Sequence, residues 1–207
     1  MSNVQAPYFH GLLLAAGASR RFGQAKQLAK LNGQSLIRLA IEGFSNSNLH
    51  SFTVVLGANS EAIRNEIDDK VNILFAENWH YGMGASIADS IQKLPEACSH
   101  VLIGLADQVA IREKQCNLLI ERATKHPSCI VASRFHHAGK ERIGAPAIFP
   151  RSIFPDLATL RADKGAKDII ANAVDVIEVD MAEASIDVDT PSDLLQVQAS
   201  LEAKKRV

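Results

Sequence analysis

The sequence is short of cysteine, of aromatic residues and of net charge. Its three cysteines, Cys98, Cys116 and Cys129, show no paired spacing and no CxxC. That argues against a zinc ribbon or a thioredoxin-like pair and leaves reduced core or surface thiols. The 22 basic and 23 acidic residues nearly cancel, giving −1. General nucleic-acid binding and polybasic membrane attachment both need surplus positive charge, so no nucleic-acid and no membrane partner is expected. A small polyanion needs only a few well-placed cations and stays open. No apolar run approaches the ~20 residues that cross a bilayer. Met1 to Phe9 carries no cationic n-region and no long apolar segment. The expectation is therefore a soluble, cytoplasmic chain. No linker, repeat or low-complexity stretch divides the 207 residues. We expect one domain over 1–207, with its core at about 10–203, large enough to fold without disulfides or metal.

Familiar catalytic signatures are also missing. G-x-G-x-x-G does not occur, and Gly23 is followed by Gln24 where a P-loop needs Lys. No G-x-S-x-G nucleophile motif is present, so nothing requires covalent catalysis. The seven histidines lack metal-ligand spacing, and His136-His137 lies in a polar stretch after the fifth apolar run. Asp187 to Gln198 imitates a calcium loop but has Ser192 at the glycine position and Gln198 at the bidentate Glu position.

What is present is alternation. Apolar runs at Gly11 to Ala16, Phe52 to Leu56, Val71 to Phe75, Val101 to Ala106 and Cys129 to Ala132 read as buried strands. Amphipathic stretches lie between them: Leu36 to Phe44, Glu61 to Asp68, Ala85 to Leu94 and Glu113 to Lys125. This is the pattern of an α/β fold with a mostly parallel, doubly wound, Rossmann-like sheet and helices on both faces. Later, Ala147 to Phe149 reads as a short strand, Ser152 to Leu160 and Gly165 to Ala173 as helical, and Val174 to Val179 as a late strand. A last helix over Pro191 to Ala203 has Thr190 as N-cap, Pro191 at N1 and Asp193 at N3.

The first loop, Leu14-Ala15-Ala16-Gly17-Ala18-Ser19-Arg20-Arg21-Phe22-Gly23-Gln24-Ala25-Lys26-Gln27-Leu28, follows a buried strand. Small residues there let backbone N–H groups approach an anion, and Arg20, Arg21 and Lys26 could neutralise it. Solvated arginines on an ordinary loop are the alternative. Asp107, directly past the fourth run, could hold Mg²⁺ with substrate phosphates or could cap the next helix. Thr190 and Asp193 serve the start of the last helix, while Asp187 and Asp189 precede it; the bland reading is a structural cap with a solvated acidic face.

The first loop closely resembles the signature of the MobA-like nucleotidyltransferases, in the branch of molybdenum cofactor cytidylyltransferase. The resemblance spans about Gly11 to Leu195, with its motifs in order, and it implies a fold of the nucleotide-diphosphate-sugar transferase type. It implies that Leu14, Ala15, Ala16 and Gly17 border the base and ribose of a nucleoside triphosphate. Arg20 and Lys26 would act on its phosphates. The LAAG form implies CTP where LAGG implies GTP. L-A-D-Q at Leu105 to Gln108 resembles the metal-binding segment, with Val109 where the family has proline. D-V-D-T-P-S-D-L resembles another family segment whose first aspartate, Asp187, implies a second metal contact, with Asp189 in reserve. The catalytic set is then Arg20, Lys26 and Asp107, with Mg²⁺ on Asp107 and Asp187. Glu77 to Ile87 resembles a segment beside the nucleotide, which carries over Gly82, Met83 and Ser86. Gly144 and Pro146 match an acceptor segment in which Ala145 replaces histidine. Asp163 and Lys167 match another, with lysine for arginine. The implied reaction joins CMP from CTP to a molybdopterin-type phosphate and releases pyrophosphate. Alternatives are a different triphosphate such as GTP, another phosphate acceptor, or a non-catalytic cofactor chaperone for a molybdenum hydroxylase.

Overall fold

The computed structural model describes residues 6–162 and 164–205, with side chains to residue 200. In chain order it runs β1 (Phe9–Ala15), β2 (Lys30–Leu31), β3 (Gln34–Ser35), α1 (Leu36–Ser45), β4 (Ser51–Leu56), α2 (Ser60–Arg64), β5 (Asn72–Phe75), α3 (Met83–Ile91) and β6 (His100–Leu105). It continues with α4 (Glu113–Lys125), β7 (Ile130–His137), β8 (Lys140–Pro150), α5 (Phe154–Ala158), α6 (Lys167–Asn172), β9 (Val176–Asp180) and α7 (Pro191–Lys205).

A seven-stranded sheet has the order β5-β4-β1-β6-β8-β7-β9. Within it β8 alone runs against the rest. Every residue of β1 is buried because helices cover both faces, so the strand reads as a continuous apolar run. Its alternation divides the core. Phe9, Leu13 and Ala15 face a cluster with Ile37 and Phe44 of α1 and Leu119 of α4. Leu12 and Leu14 face a second cluster with Ile87 of α3, Leu157 of α5 and Ile170 of α6. The chain leaves β1 toward β4 and returns beyond it to β6. The crevice outside the carboxyl ends of β1 and β6 is therefore the switch point, where open α/β sheets take ligands.

The expected alternation is present, with several changes of extent. The helix expected over Glu61 to Asp68 ends at Arg64. There the Arg64 guanidinium donates to the Ile67 carbonyl and the Ile67 N–H to the Arg64 carbonyl, closing a tighter turn. The short strand expected at Ala147 to Phe149 is the buried end of the eleven-residue β8. His136 and His137, expected after a strand, lie inside β7, which pairs with β8 out to His137↔Lys140. The joining turn holds Ala138 at φ 50° and Gly139 at φ 72°, the left-handed pair that two-residue hairpins favour. The start of α7 is as expected: Asp193 N–H donates to Thr190 Oγ1 at 3.2 Å, and Thr190 N–H to Asp193 Oδ2 at 2.7 Å. Cys98, Cys116 and Cys129 are all free thiols. Among the described residues no helix is long and apolar enough to cross a membrane.

Candidate active site

The first loop is braced from inside. Buried Gln27 donates from Nε2 to the carbonyls of Ala15 at 3.0 Å and Gly17 at 3.1 Å. Ser19 Oγ donates to Gln27 Oε1 at 3.2 Å and accepts the Lys26 N–H at 3.2 Å. Phe22 anchors the far side in a small cluster with Leu36, Val109 and Val188. Val109, where the family has proline, thus packs against the loop it follows in space.

These braces aim Lys26 at the carboxylates. Its ammonium donates to Asp107 Oδ2 at 2.6 Å and to Asp189 Oδ1 at 2.7 Å, and Arg21 reaches Asp189 Oδ2 at 2.7 Å. Backbone geometry joins the two acidic segments: Val188 N–H donates to the Asp107 carbonyl at 3.1 Å. Asp107 caps no helix, since α4 begins at Glu113 with Arg112 as its N-cap. Burial would lower the Lys26 pKa, but the Asp107 charge and the hydrogen bonds Lys26 donates to Asp107 and Asp189 outweigh it and hold it above its ordinary value. Burial raises Asp189, yet Lys26 and Arg21 outweigh it and hold the carboxyl below its ordinary value. Among the described residues Asp187 has no Lys or Arg ion pair. Burial, then the charges of Asp107 and Asp189, push its pKa up. Its nearest basic partner is His137, with Nδ1 at 3.9 Å from Oδ1.

Two cavities adjoin this cluster. One, of about 510 Å³, is lined by Leu14, Ala15, Ala16, Gly17, Arg20, Arg21 and Lys26, and by Gly82, Met83 and Ser86 at the start of α3. Gly82 takes φ +117°, which turns the chain into that helix. The other, of about 390 Å³, is lined largely by apolar side chains of β6, β8, α3 and α6, with Asp107, Gln108, Asp187, Gly144 and Lys167 in its wall. Asp107, Leu105 and Met83 belong to both walls. Pro146, expected on the acceptor side, lines neither cavity: it is buried, with its carbonyl taken by Ser133 Oγ at 2.7 Å. Asp163 lies outside the described residues.

Some residues of the site were given no role by the sequence. Gln108 is 4% exposed and its Nε2 ties the Ala145 carbonyl (2.9 Å) to the Ala184 carbonyl (3.0 Å). It thereby holds the loop after β6 against β8 and against the turn leading to Asp187. His137 and Arg142 also line the second cavity. The one available signal for them was the Ala138-Gly139 turn between two residue runs of strand character. Among the described residues two buried oxygens, Asp107 Oδ1 and Gln108 Oε1, have no partner.

Fold and site together define an α/β protein with a cationic loop and carboxylates at the switch point of its sheet. The chain belongs to the family of the MobA-like NTP transferase domain, which matches residues 11–177. It is 27% identical over 199 residues to nicotine blue oxidoreductase of Paenarthrobacter nicotinovorans, covering 92% of this chain and 96% of that one. It is 26% identical over 213 residues to purine catabolism protein PucB of Bacillus subtilis, covering 96% of this chain and 100% of that one. The fold also matches the solved manganese complex of Rv0371C from Mycobacterium tuberculosis H37Rv, with a TM-score of 0.78 and 21% identity over 93% of this chain and 99% of that one.

Proposed function

We propose that this chain is a Mg²⁺-dependent cytidylyltransferase that joins CMP from CTP to the phosphate of a molybdenum-bound molybdopterin. One observation carries the reading: a cationic, glycine-lined cavity and an apolar cavity meet at the Asp107 carboxylate. Transfer between two substrates needs that adjacency, because positioning supplies most of the catalysis.

In this reading Leu14 to Gly17, with Gly82, Met83 and Ser86, border the base and ribose. Arg20 and Lys26 take the β- and γ-phosphates, Lys26 exchanging its carboxylate partners for phosphate oxygens. The acceptor lies in the apolar cavity, with Gly144 and Lys167 in its wall; the resemblance also implies Pro146 and Asp163 on the acceptor side. Its phosphate oxygen attacks the α-phosphorus. A new P–O bond forms as the bond to the β-phosphate oxygen breaks, and pyrophosphate leaves with that electron pair.

The donor set fits a magnesium ion. Asp107 presents a buried oxygen with no partner, and Asp187 is a carboxylate crowded by two others. Among the described residues no cluster of three or more His, Cys, Asp or Glu could hold a metal by itself. Magnesium is commonly held by one or two carboxylates with substrate phosphates completing the shell. Bound there, it would neutralise charge on the reacting phosphates.

Pyrophosphate release with CTP, GTP, ATP and UTP, each with Mg²⁺ and molybdopterin, tests the assignment. CTP should support the fastest rate. Asp107→Ala should lower it by about a hundredfold or more with the thermal midpoint little changed. Preference for GTP, or a wild-type rate in Asp107→Ala, overturns the reading. A second reading, a cofactor chaperone, is favoured by Ala145 at the family's histidine position and by the tight pairing of Lys26. Nucleotide binding without turnover, with capture of a molybdenum hydroxylase, would select it.

A further inference from the structure

Among the described residues, Arg20 and Arg142 are the arginines without a hydrogen bond, ion pair or charge contact. Each lines one of the two cavities. Arg20 already has a use on the triphosphate side. Arg142 has none.

Its position is set by the β7–β8 hairpin. Phe135 pairs directly with Arg142, and His137 with Lys140. Phe135, His137 and Arg142 therefore share one face of the hairpin, and all three line the apolar cavity. His137 and Arg142 are diagonal neighbours across the pair, about 7 Å apart at the backbone. His137 Nδ1 lies 3.9 Å from Asp187 Oδ1. Arg142 thus stands at the Asp187 end of the cavity, where an acceptor phosphate has to arrive. Lys167, at the first position of α6, lines the same cavity and also lacks an ion pair. The rest of the wall includes Ile87, Ile103, Phe149 and Ile170, which offer no hydrogen bonds.

We infer that Arg142 is the acceptor-phosphate contact of this chain. The acceptor of that reading sets its phosphate on Arg142 beside Asp187, with its body against the apolar wall. A guanidinium suits this task because its planar fork meets two phosphate oxygens at once. The inference rests on the transferase reading above and adds to it the residue that selects the acceptor.

The test is isothermal titration of the full chain, with Mg²⁺ and a non-hydrolysable CTP analogue bound, by phenyl phosphate, inorganic phosphate and benzyl alcohol. Phenyl phosphate should bind most tightly, since it alone has both ring and phosphate. Arg142→Gln should weaken it about tenfold or more, and Arg142→Lys should recover part of the loss. Benzyl alcohol affinity and CTP-analogue affinity should be the same in all three proteins. Unchanged phenyl phosphate binding in Arg142→Gln overturns the inference. So does an equal loss for benzyl alcohol, which would mark a structural role, or a wild type that does not bind phenyl phosphate. If the CTP analogue fails to bind, the transferase reading fails instead, and the same titrations on the unloaded chain still decide the role of Arg142.

Discussion

His10 lies in β1, away from the ligand edge, and is 3% exposed. Its ring bonds Ser51 Oγ at 2.7 Å and Thr53 Oγ1 at 3.1 Å, and burial lowers its pKa from 6.5 to about 4. The unfolded chain therefore binds a proton in that interval that the folded chain does not. Stability should fall as pH drops from 6.5 toward about 4 and gain nothing further from this group above 6.5. The loss should be about 3 kcal/mol. Burial depresses His100 in the same direction. Urea midpoints at about pH 7.5 and about pH 4.5 check this, and His10→Gln should show a smaller difference between them. An unchanged pH difference in that variant would remove His10 as the cause. At this scale much of the ligand edge was legible. Asp107 and the loop cations stand directly after apolar runs, and the chain direction of a parallel sheet puts those positions at one edge. The division of labour between Asp187 and Asp189 was not legible. It depends on Lys26, which is 163 positions away from Asp189, and local pattern carries no information on such a pair.

The β7–β8 hairpin carries both His137 and Arg142, and its turn depends on two left-handed residues. Gly139 adopts φ 72° freely, whereas Ala138 at φ 50° is strained by its Cβ. Ala138→Asn should raise the urea midpoint, by up to about 1 kcal/mol of stability, because asparagine tolerates that region. Gly139→Val should cost about 1–2 kcal/mol. If the hairpin positions Arg142, Gly139→Val should also weaken phenyl phosphate binding while leaving CTP affinity unchanged. Loss of both affinities together would show that the hairpin supports the whole edge. This element also shows where sequence pattern gave out. Central strands are buried on both faces and appear as unbroken apolar runs. β8 is exposed and polar from Lys140 to Arg142, and its register with β7 shifts between Ala132 and Ser133. The shift leaves Ala145 and Pro146 out of step, so only the buried end looked like a strand. The Asn32-Gly33 turn was missed for a different reason: β2 and β3 have two residues each, too few to show alternation.

Across the whole molecule the charges sum to −1, but at the switch point they are concentrated and mutually engaged. Lys26 neutralises Asp107 and Asp189, and Arg21 also holds Asp189. On the transferase reading, a divalent cation arriving alone must compete with the Lys26 ammonium for Asp107. A triphosphate arriving alone must draw Lys26 away from two carboxylates. Arriving together, they exchange partners, because phosphate oxygens take the ammonium as the metal takes Asp107. Each should therefore strengthen the other's binding, by about five- to a hundredfold, and equally in both directions. Lys26→Met tests this at its centre. Removing the ammonium leaves Asp107 uncompensated, so Mn²⁺ alone should bind more tightly than to wild type. CTP should bind more weakly, and the mutual strengthening should shrink. Titrations of Mn²⁺ alone, CTP alone and each in the presence of the other, corrected for the Mn²⁺–CTP complex in solution, supply all the terms. Equal or weaker Mn²⁺ binding in Lys26→Met would mean that the metal does not compete with Lys26 at Asp107, and the exchange of partners at this edge would have to be abandoned.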